Sequence, residues 1–107
     1  MNAISVEPTF EEGPKNVSAA IGSPAALRCD VIGVPKPRVT WSRGGVELGE
    51  TEAVQFPSVG LLQFVSVGVE DGGVYECTAS NEAGRKGRNL TLSVQGSMDV
   101  FLRLHFF

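Results

Sequence analysis

A chain of 107 residues holds one domain built on one hydrophobic core. Thirteen glycines and six prolines favour many turns over long helices, and a formal net charge of −3 leaves no basic footprint for nucleic acid. The two cysteines lack C-x-x-C spacing and the only histidine is His105, so the pair reads as one disulfide rather than as metal ligands.

No run approaches the roughly 20 apolar residues of a membrane span. Met1-Asn2-Ala3-Ile4-Ser5-Val6 has neither the positive start nor the apolar run of a signal peptide. The expectation is an excised domain of a larger protein, carrying an initiator Met.

Residues 8–12 (Pro8-Thr9-Phe10-Glu11-Glu12) are predicted to form a short edge strand, because proline cannot donate to a ladder. Gly13-Pro14 breaks it, and Asn16-Val17-Ser18-Ala19-Ala20 resumes as a second strand. Gly22-Ser23-Pro24 is a turn. Over residues 25–31, Ala25, Leu27, Cys29 and Val31 alternate with Ala26, Arg28 and Asp30, the period of a half-buried strand. Gly33-Val34-Pro35-Lys36-Pro37 then makes a proline-stiffened connection to a strand from Arg38 to Arg43, with Val39 and Trp41 inward.

Gly44-Gly45 turns the chain into a short strand at Val46-Glu47-Leu48. An acidic loop over 49–53 leads to a further short strand at Val54-Gln55-Phe56. Residues 61–67 place Leu62 and Phe64 inward, with Val67 as the last core contact. Residues 69–73 form a corner, and the strand from Val74 to Ser80 turns Tyr75, Cys77 and Ala79 inward. Asn81-Glu82-Ala83-Gly84 is expected to be a hairpin turn with Gly84 in the left-handed region. Residues 85–94 make the last strand, with Leu90, Leu92 and Val94 inward.

Cys29, Trp41, Asp71, Gly73, Tyr75 and Cys77 fall at mutually compatible spacings, where a lone cysteine pair would say little. At these residues, and over roughly 8–95, the sequence resembles the I-set of the immunoglobulin superfamily. It is similar to the domains of extracellular multi-Ig proteins of the hemicentin and peroxidasin kind. The resemblance implies an all-β, Greek-key antiparallel sandwich with sheets A-B-E-D and A′-G-F-C(-C′). In it Cys29 and Cys77 bridge the sheets, Trp41 packs on the bridge and Leu62 fills the core. Asp71 and Gly73 shape the corner, and Tyr75 turns its hydroxyl back to the backbone. Such a bridge closes a loop of about 49 residues, worth roughly 4 kcal/mol on the chain-entropy account. It persists in an oxidising compartment, but some intracellular muscle Ig domains keep the same cysteines reduced, so the pair does not fix location. No Arg stands at Val54-Gln55 to pair with Asp71, and the chain between C′ and D is too short for a further strand. Both features separate the pattern from variable-type domains.

No constellation for catalysis, cofactor or metal emerges. His105 lies near the chain end, the Ser and Thr residues have no evident base, and Glu11-Glu12, Glu50 with Glu52, and Glu70-Asp71 read as solvated loop charges. Three features bear on binding. Asn16-Val17-Ser18 and Asn89-Leu90-Thr91 are N-glycosylation sequons on outward positions. Arg85, Lys86 and Arg88 open the last strand, either as a contact for a sulfated glycan or acidic partner or as a charged edge that deters aggregation. Arg38, Thr40, Ser42, Thr78 and Ser80 make a polar outer sheet face without an exposed aromatic anchor. The resemblance implies a non-enzymatic module that contacts other proteins, neighbouring Ig domains included, in adhesion, matrix assembly or a receptor ectodomain. The alternatives are an intracellular structural module of a muscle or cytoskeletal giant protein and a heparin- or growth-factor-binding domain.

Residues 1–95 account for this pattern, and residues 96–107 read as an appended tail. Gly96-Ser97 resembles a cloning junction. Beyond it Val100, Leu102, Leu104 and Phe106 alternate with Phe101, Arg103, His105 and Phe107, a short apolar pattern suited to strand addition on a sheet edge or to a weak homodimer. Comparing elution volumes with and without residues 96–107 tests this. A later elution of the truncated chain, beyond its lost mass, marks tail-driven association, and a volume explained by mass alone rules it out.

Overall fold

Inward-facing residues of four strands supply the heart of the core. Leu27, Leu62, Phe64, Tyr75, Cys77, Leu90 and Leu92 come from alternating positions and are each 2% exposed or less. The structure, a computed structural model, describes residues 4–96. The strand-addition expectation placed on the tail lies outside the described residues.

The strands are β1 (Val6–Phe10), β2 (Asn16–Ala20), β3 (Ala25–Arg28), β4 (Val31–Val34), β5 (Arg38–Arg43), β6 (Val46–Glu47), β7 (Val54–Gln55), β8 (Leu61–Phe64), β9 (Gly73–Asn81) and β10 (Gly84–Gln95). One 3-10 turn, Val69–Asp71, precedes β9. The larger sheet has the order β2-β10-β9-β5-β6, the A′-G-F-C-C′ arrangement expected from the resemblance. Its β2–β10 pair is parallel and its other pairs are antiparallel. A three-stranded sheet β3-β8-β7 faces it, with a two-stranded β1-β4 ladder alongside.

The first sheet departs from the continuous A-B-E-D expectation. The strand predicted over 25–31 stops at Arg28 and restarts at Val31, because its two halves have different partners. β3 pairs with β8 and β4 pairs with β1. At the break, the Cys29 amide donates to the Gly60 carbonyl at 2.7 Å and the Glu11 amide to the Asp30 carbonyl at 2.9 Å. The backbone groups are therefore satisfied in two directions. β4 also runs to Val34, into the segment expected to be a connection, and β1 lies two residues earlier than the predicted 8–12. β8 ends at Phe64 where the sequence suggests 67. Val67 is still 2% exposed, held by amide–carbonyl bonds with Gly22 and Ser23 of the first turn rather than by a ladder.

The hairpin between β9 and β10 also differs from expectation. Gly84 is not among the residues with positive φ. The Asn81 side chain shapes the turn instead, its Oδ1 accepting from the amides of Ala83 at 2.9 Å and Gly84 at 3.2 Å. That is the local bonding Asn offers a turn without a left-handed residue. Gly84 remains crowded, since a Cβ there would lie 3.2 Å from the Cβ of Glu7.

Gly60 is where the fold does require glycine. Its φ is +80°, and an added Cβ would stand 2.1 Å from the Cys29 carbonyl oxygen, beside the bond that ties β3 to the turn before β8. Replacing it combines left-handed strain with a backbone clash next to the bridging cysteine. Gly60→Ala is expected to lower unfolding free energy by about 2–4 kcal/mol in a denaturant titration, whereas Gly49→Ala, in open space, is expected to change it little.

Candidate functional site

The corner that feeds β9 carries the densest polar bonding. Asp71 turns its carboxylate back on the 3-10 turn, where Oδ2 accepts from the Gly68 amide at 2.7 Å. Tyr75, 2% exposed, donates its hydroxyl to the Asp71 carbonyl. Arg43, at the end of β5, closes the group. Its Nη1 donates to the Tyr75 hydroxyl oxygen at 2.9 Å, its Nη2 donates to the Gly72 carbonyl, and its guanidinium lies 4.9 Å from the centre of the Tyr75 ring. Gly73 leaves room for this, because a Cβ there would sit 3.0 Å from Arg43 Nη2.

No arginine stands at Val54-Gln55 to pair with Asp71; the cation arrives from β5 and bonds the tyrosine and the backbone. The usable signal was parity: Val39, Trp41 and Arg43 share one face of β5, so Arg43 lies at the end of an inward row.

The core residues singled out from sequence converge. Cys29 and Cys77 are bonded, at a separation of 48 residues. Trp41 is the register partner of Cys77 and is 3% exposed, in one core cluster with both cysteines and Leu62. Its indole nitrogen is buried without a partner among the described residues.

The basic run does not converge. Lys86 pairs in register with Ala79 and Arg88 with Cys77, both buried, so these two side chains share the inward parity of Leu90. Arg85 pairs with Ser80 and takes the opposite parity. Lys86 meets Glu7 at 3.6 Å, an exposed pair of small energetic weight. Arg88 reaches across to the interval between β1 and β2, donating to the carbonyls of Glu11 at 2.8 Å and Gly13 at 2.9 Å, with its guanidinium 5.9 Å from the Phe10 ring centre. It clamps the place where the chain crosses from one sheet to the other.

On the outer face of the larger sheet, Arg38 and Arg85 both stand opposite Ser80 in register, so two cations flank it. Thr40, Ser42, Thr78 and Ser80 are half-buried there, and Asn16 and Asn89 are exposed. The β1–β4 ladder has a different character. Val6 and Val34 are register partners at 42% and 49% exposure, and Ile32 is 52% exposed. Among the described residues no three His, Cys, Asp or Glu side chains gather as a metal site, and no helix is long and apolar enough to cross a membrane.

Comparison with known proteins agrees with this architecture. A family model described as the immunoglobulin I-set domain matches residues 8–94. Hemicentin-1 of Mus musculus is 40% identical over 101 residues, covering 92% of this chain and 2% of that protein. Peroxidasin homolog of Mus musculus is 34% identical over 89 residues, covering 83% of this chain and 6% of that protein. The chain thus spans only a small part of these relatives. A crystal structure of the complex between the titin M10 domain and an obscurin-like 1 Ig domain superposes with a TM-score of 0.80 at 34% identity, covering 85% of this chain and 96% of that one.

Burial raises the Tyr75 phenol above its ordinary 10.0; the Arg43 guanidinium pulls the other way and the Asp71 carboxylate adds to the rise. With the folded value above the unfolded one, the stabilisation is complete below pH 10 and is lost as pH climbs through the folded value. Tyr75 is the only tyrosine, so phenolate absorbance reports it alone. The expected titration midpoint lies above 10 in the folded protein and falls to about 10 in denaturant. Tyr75→Phe is expected to cost about 1–3 kcal/mol by orphaning its two hydrogen-bond partners, read from denaturant melts.

Proposed function

The chain belongs to the immunoglobulin I-set family, and from that we propose that it is one non-enzymatic module of a larger multidomain protein that acts by contact with other proteins outside the cell. The setting is cell adhesion, matrix assembly or a receptor ectodomain. Residues 1–95 form the module and residues 96–107 an appended tail.

The observation that carries this reading is the Cys29–Cys77 bond in the core, with Cys29 1% and Cys77 0% exposed. A structural disulfide of this kind suits an oxidising compartment. The polar side chains with specific bonds work as structural ties: Asp71, Tyr75 and Arg43 at the corner, Arg88 at the sheet crossing, Asn81 at the hairpin. Contact with partners and neighbouring domains then falls to the surface, where Val6, Ile32 and Val34 offer the apolar strip. A sulfated glycan would meet Arg85 together with Arg38 rather than the full basic run, because Lys86 and Arg88 are turned toward Glu7, Glu11 and Gly13.

The likeness to the titin structure favours a second reading, a structural module inside muscle cells. Thiol state separates the two. Protein taken from its native setting and alkylated without reduction is expected to stay unmodified and to weigh two hydrogens less than the reduced chain. Two alkylated cysteines would overturn the extracellular reading.

A further inference from the structure

The two sequons meet on one face. In β10, Leu90 and Leu92 are 0% and 1% exposed, so Asn89 and Thr91 point out of the sandwich. In β2, Val17 and Ala19 are the half-buried residues, so Asn16 and Ser18 point out as well. The parallel register of β2 and β10 sets Asn16 beside Thr91, the hydroxyl residue of the other sequon. Strand spacing and rise then put the two asparagine Cα atoms roughly 8 Å apart.

The surroundings of Asn89 leave it open. Its antiparallel partner is Glu76, whose carboxylate lies over Gly87: a Cβ added at Gly87 would be 2.7 Å from Glu76 Oε2. The acidic side chain thus leans toward the glycine. On the flank toward β9 and β5, Asn89 borders a depression of about 490 Å³ shared with Ser42, Gly45, Val74 and Glu76. Val74, 53% exposed, gives it an apolar wall of the kind a sugar ring's face covers. Asn81 is the contrast. Its amide nitrogen is committed to the Val6 and Pro35 carbonyls at 2.8 and 3.0 Å.

We propose that Asn16 and Asn89 are both N-glycosylated and that the two neighbouring glycans screen the outer face of β2, β10 and β9, leaving partners the opposite face with Ile32 and Val34. This rests on the extracellular reading. In the modification, the asparagine amide nitrogen bonds to the anomeric carbon of an oligosaccharide carried on a lipid diphosphate. The sugar–phosphate bond breaks, the lipid diphosphate leaves with the bonding pair, and the amide nitrogen loses one proton.

The test is secretion of the full chain from eukaryotic cells behind a cleavable leader, as wild type, N16Q, N89Q and the double variant. Intact mass before and after enzymatic removal of Asn-linked glycans is expected to show two glycans on wild type, one on each single variant and none on the double. Carbodiimide labelling of Glu76 is expected to be several-fold slower in the glycosylated protein than in the double variant, while Glu52, in the loop ahead of β7, labels equally in both. A secreted, disulfide-bonded chain bare at either asparagine overturns the double modification and leaves the extracellular reading standing. Equal labelling of Glu76 in the two forms overturns the screening. Failure of the extracellular reading itself shows elsewhere, as free thiols in protein from its native setting.

Discussion

The Cys29–Cys77 bridge is the one covalent tie between the two sheets, and its inward position fixes which way nearly every other side chain points. With Cys77 inward, Tyr75 and Ala79 of β9 must be inward too, and both are buried. Register carries the parity to the neighbours. Trp41 stands beside Cys77 and Val39 beside Ala79 in β5, and Arg88 stands beside Cys77 and Leu90 beside Tyr75 in β10. The same rule sets what faces out: Glu76, Thr78 and Ser80 on β9, Asn89 and Thr91 on β10, and through the parallel pair Asn16 on β2. A slip of one residue would exchange the two sets, burying charge and exposing leucine.

The polar locks lie where the sheets leave backbone groups without ladder partners. The corner before β9 leaves the Asp71 and Gly72 carbonyls to Tyr75 and Arg43. The crossing between β1 and β2 leaves those of Glu11 and Gly13 to Arg88. The hairpin after β9 is shaped by Asn81, which also ties it to the start of β1 and to Pro35. Each lock joins segments remote in sequence, and each substitutes for bonds that a regular ladder would have supplied. Arginine suits two of the three, since its planar fork serves two carbonyls or a hydroxyl and a carbonyl from one position.

A sandwich of this kind hosts many functions, so its surface rather than its core differentiates it. The two faces differ in chemistry. The larger sheet presents threonines, serines, two flanking cations and the asparagines of both sequons, with Val74 as an exposed apolar residue among them. The β1–β4 ladder presents Val6, Ile32 and Val34. One face is suited to hydration or modification and the other to burial against a partner.

Periodicity and its consequences were legible in the residues alone. The alternation around Leu27, Trp41, Leu62 and Cys77 is local, so the strand carrying Trp41 is found at Arg38–Arg43 as predicted, while the order of the larger sheet followed from the I-set resemblance and not from periodicity. Turn chemistry was legible at Gly44-Gly45, where both residues have positive φ. The features that depend on which remote segment lies alongside were set by packing. The strand through Cys29 divides because β8 and β1 claim its two halves. Arg43 belongs to the corner because β5 lies beside β9, and Gly84 needs no left-handed turn because Asn81 bonds it. The run Arg85-Lys86-Gly87-Arg88 separates because successive strand residues alternate faces and β1 lies over one of them, while the sequons, 73 positions apart by the numbering of Asn16 and Asn89, become neighbours through a parallel pairing. Side-chain direction is a property of a few adjacent residues, but a partner is chosen by the whole packed chain.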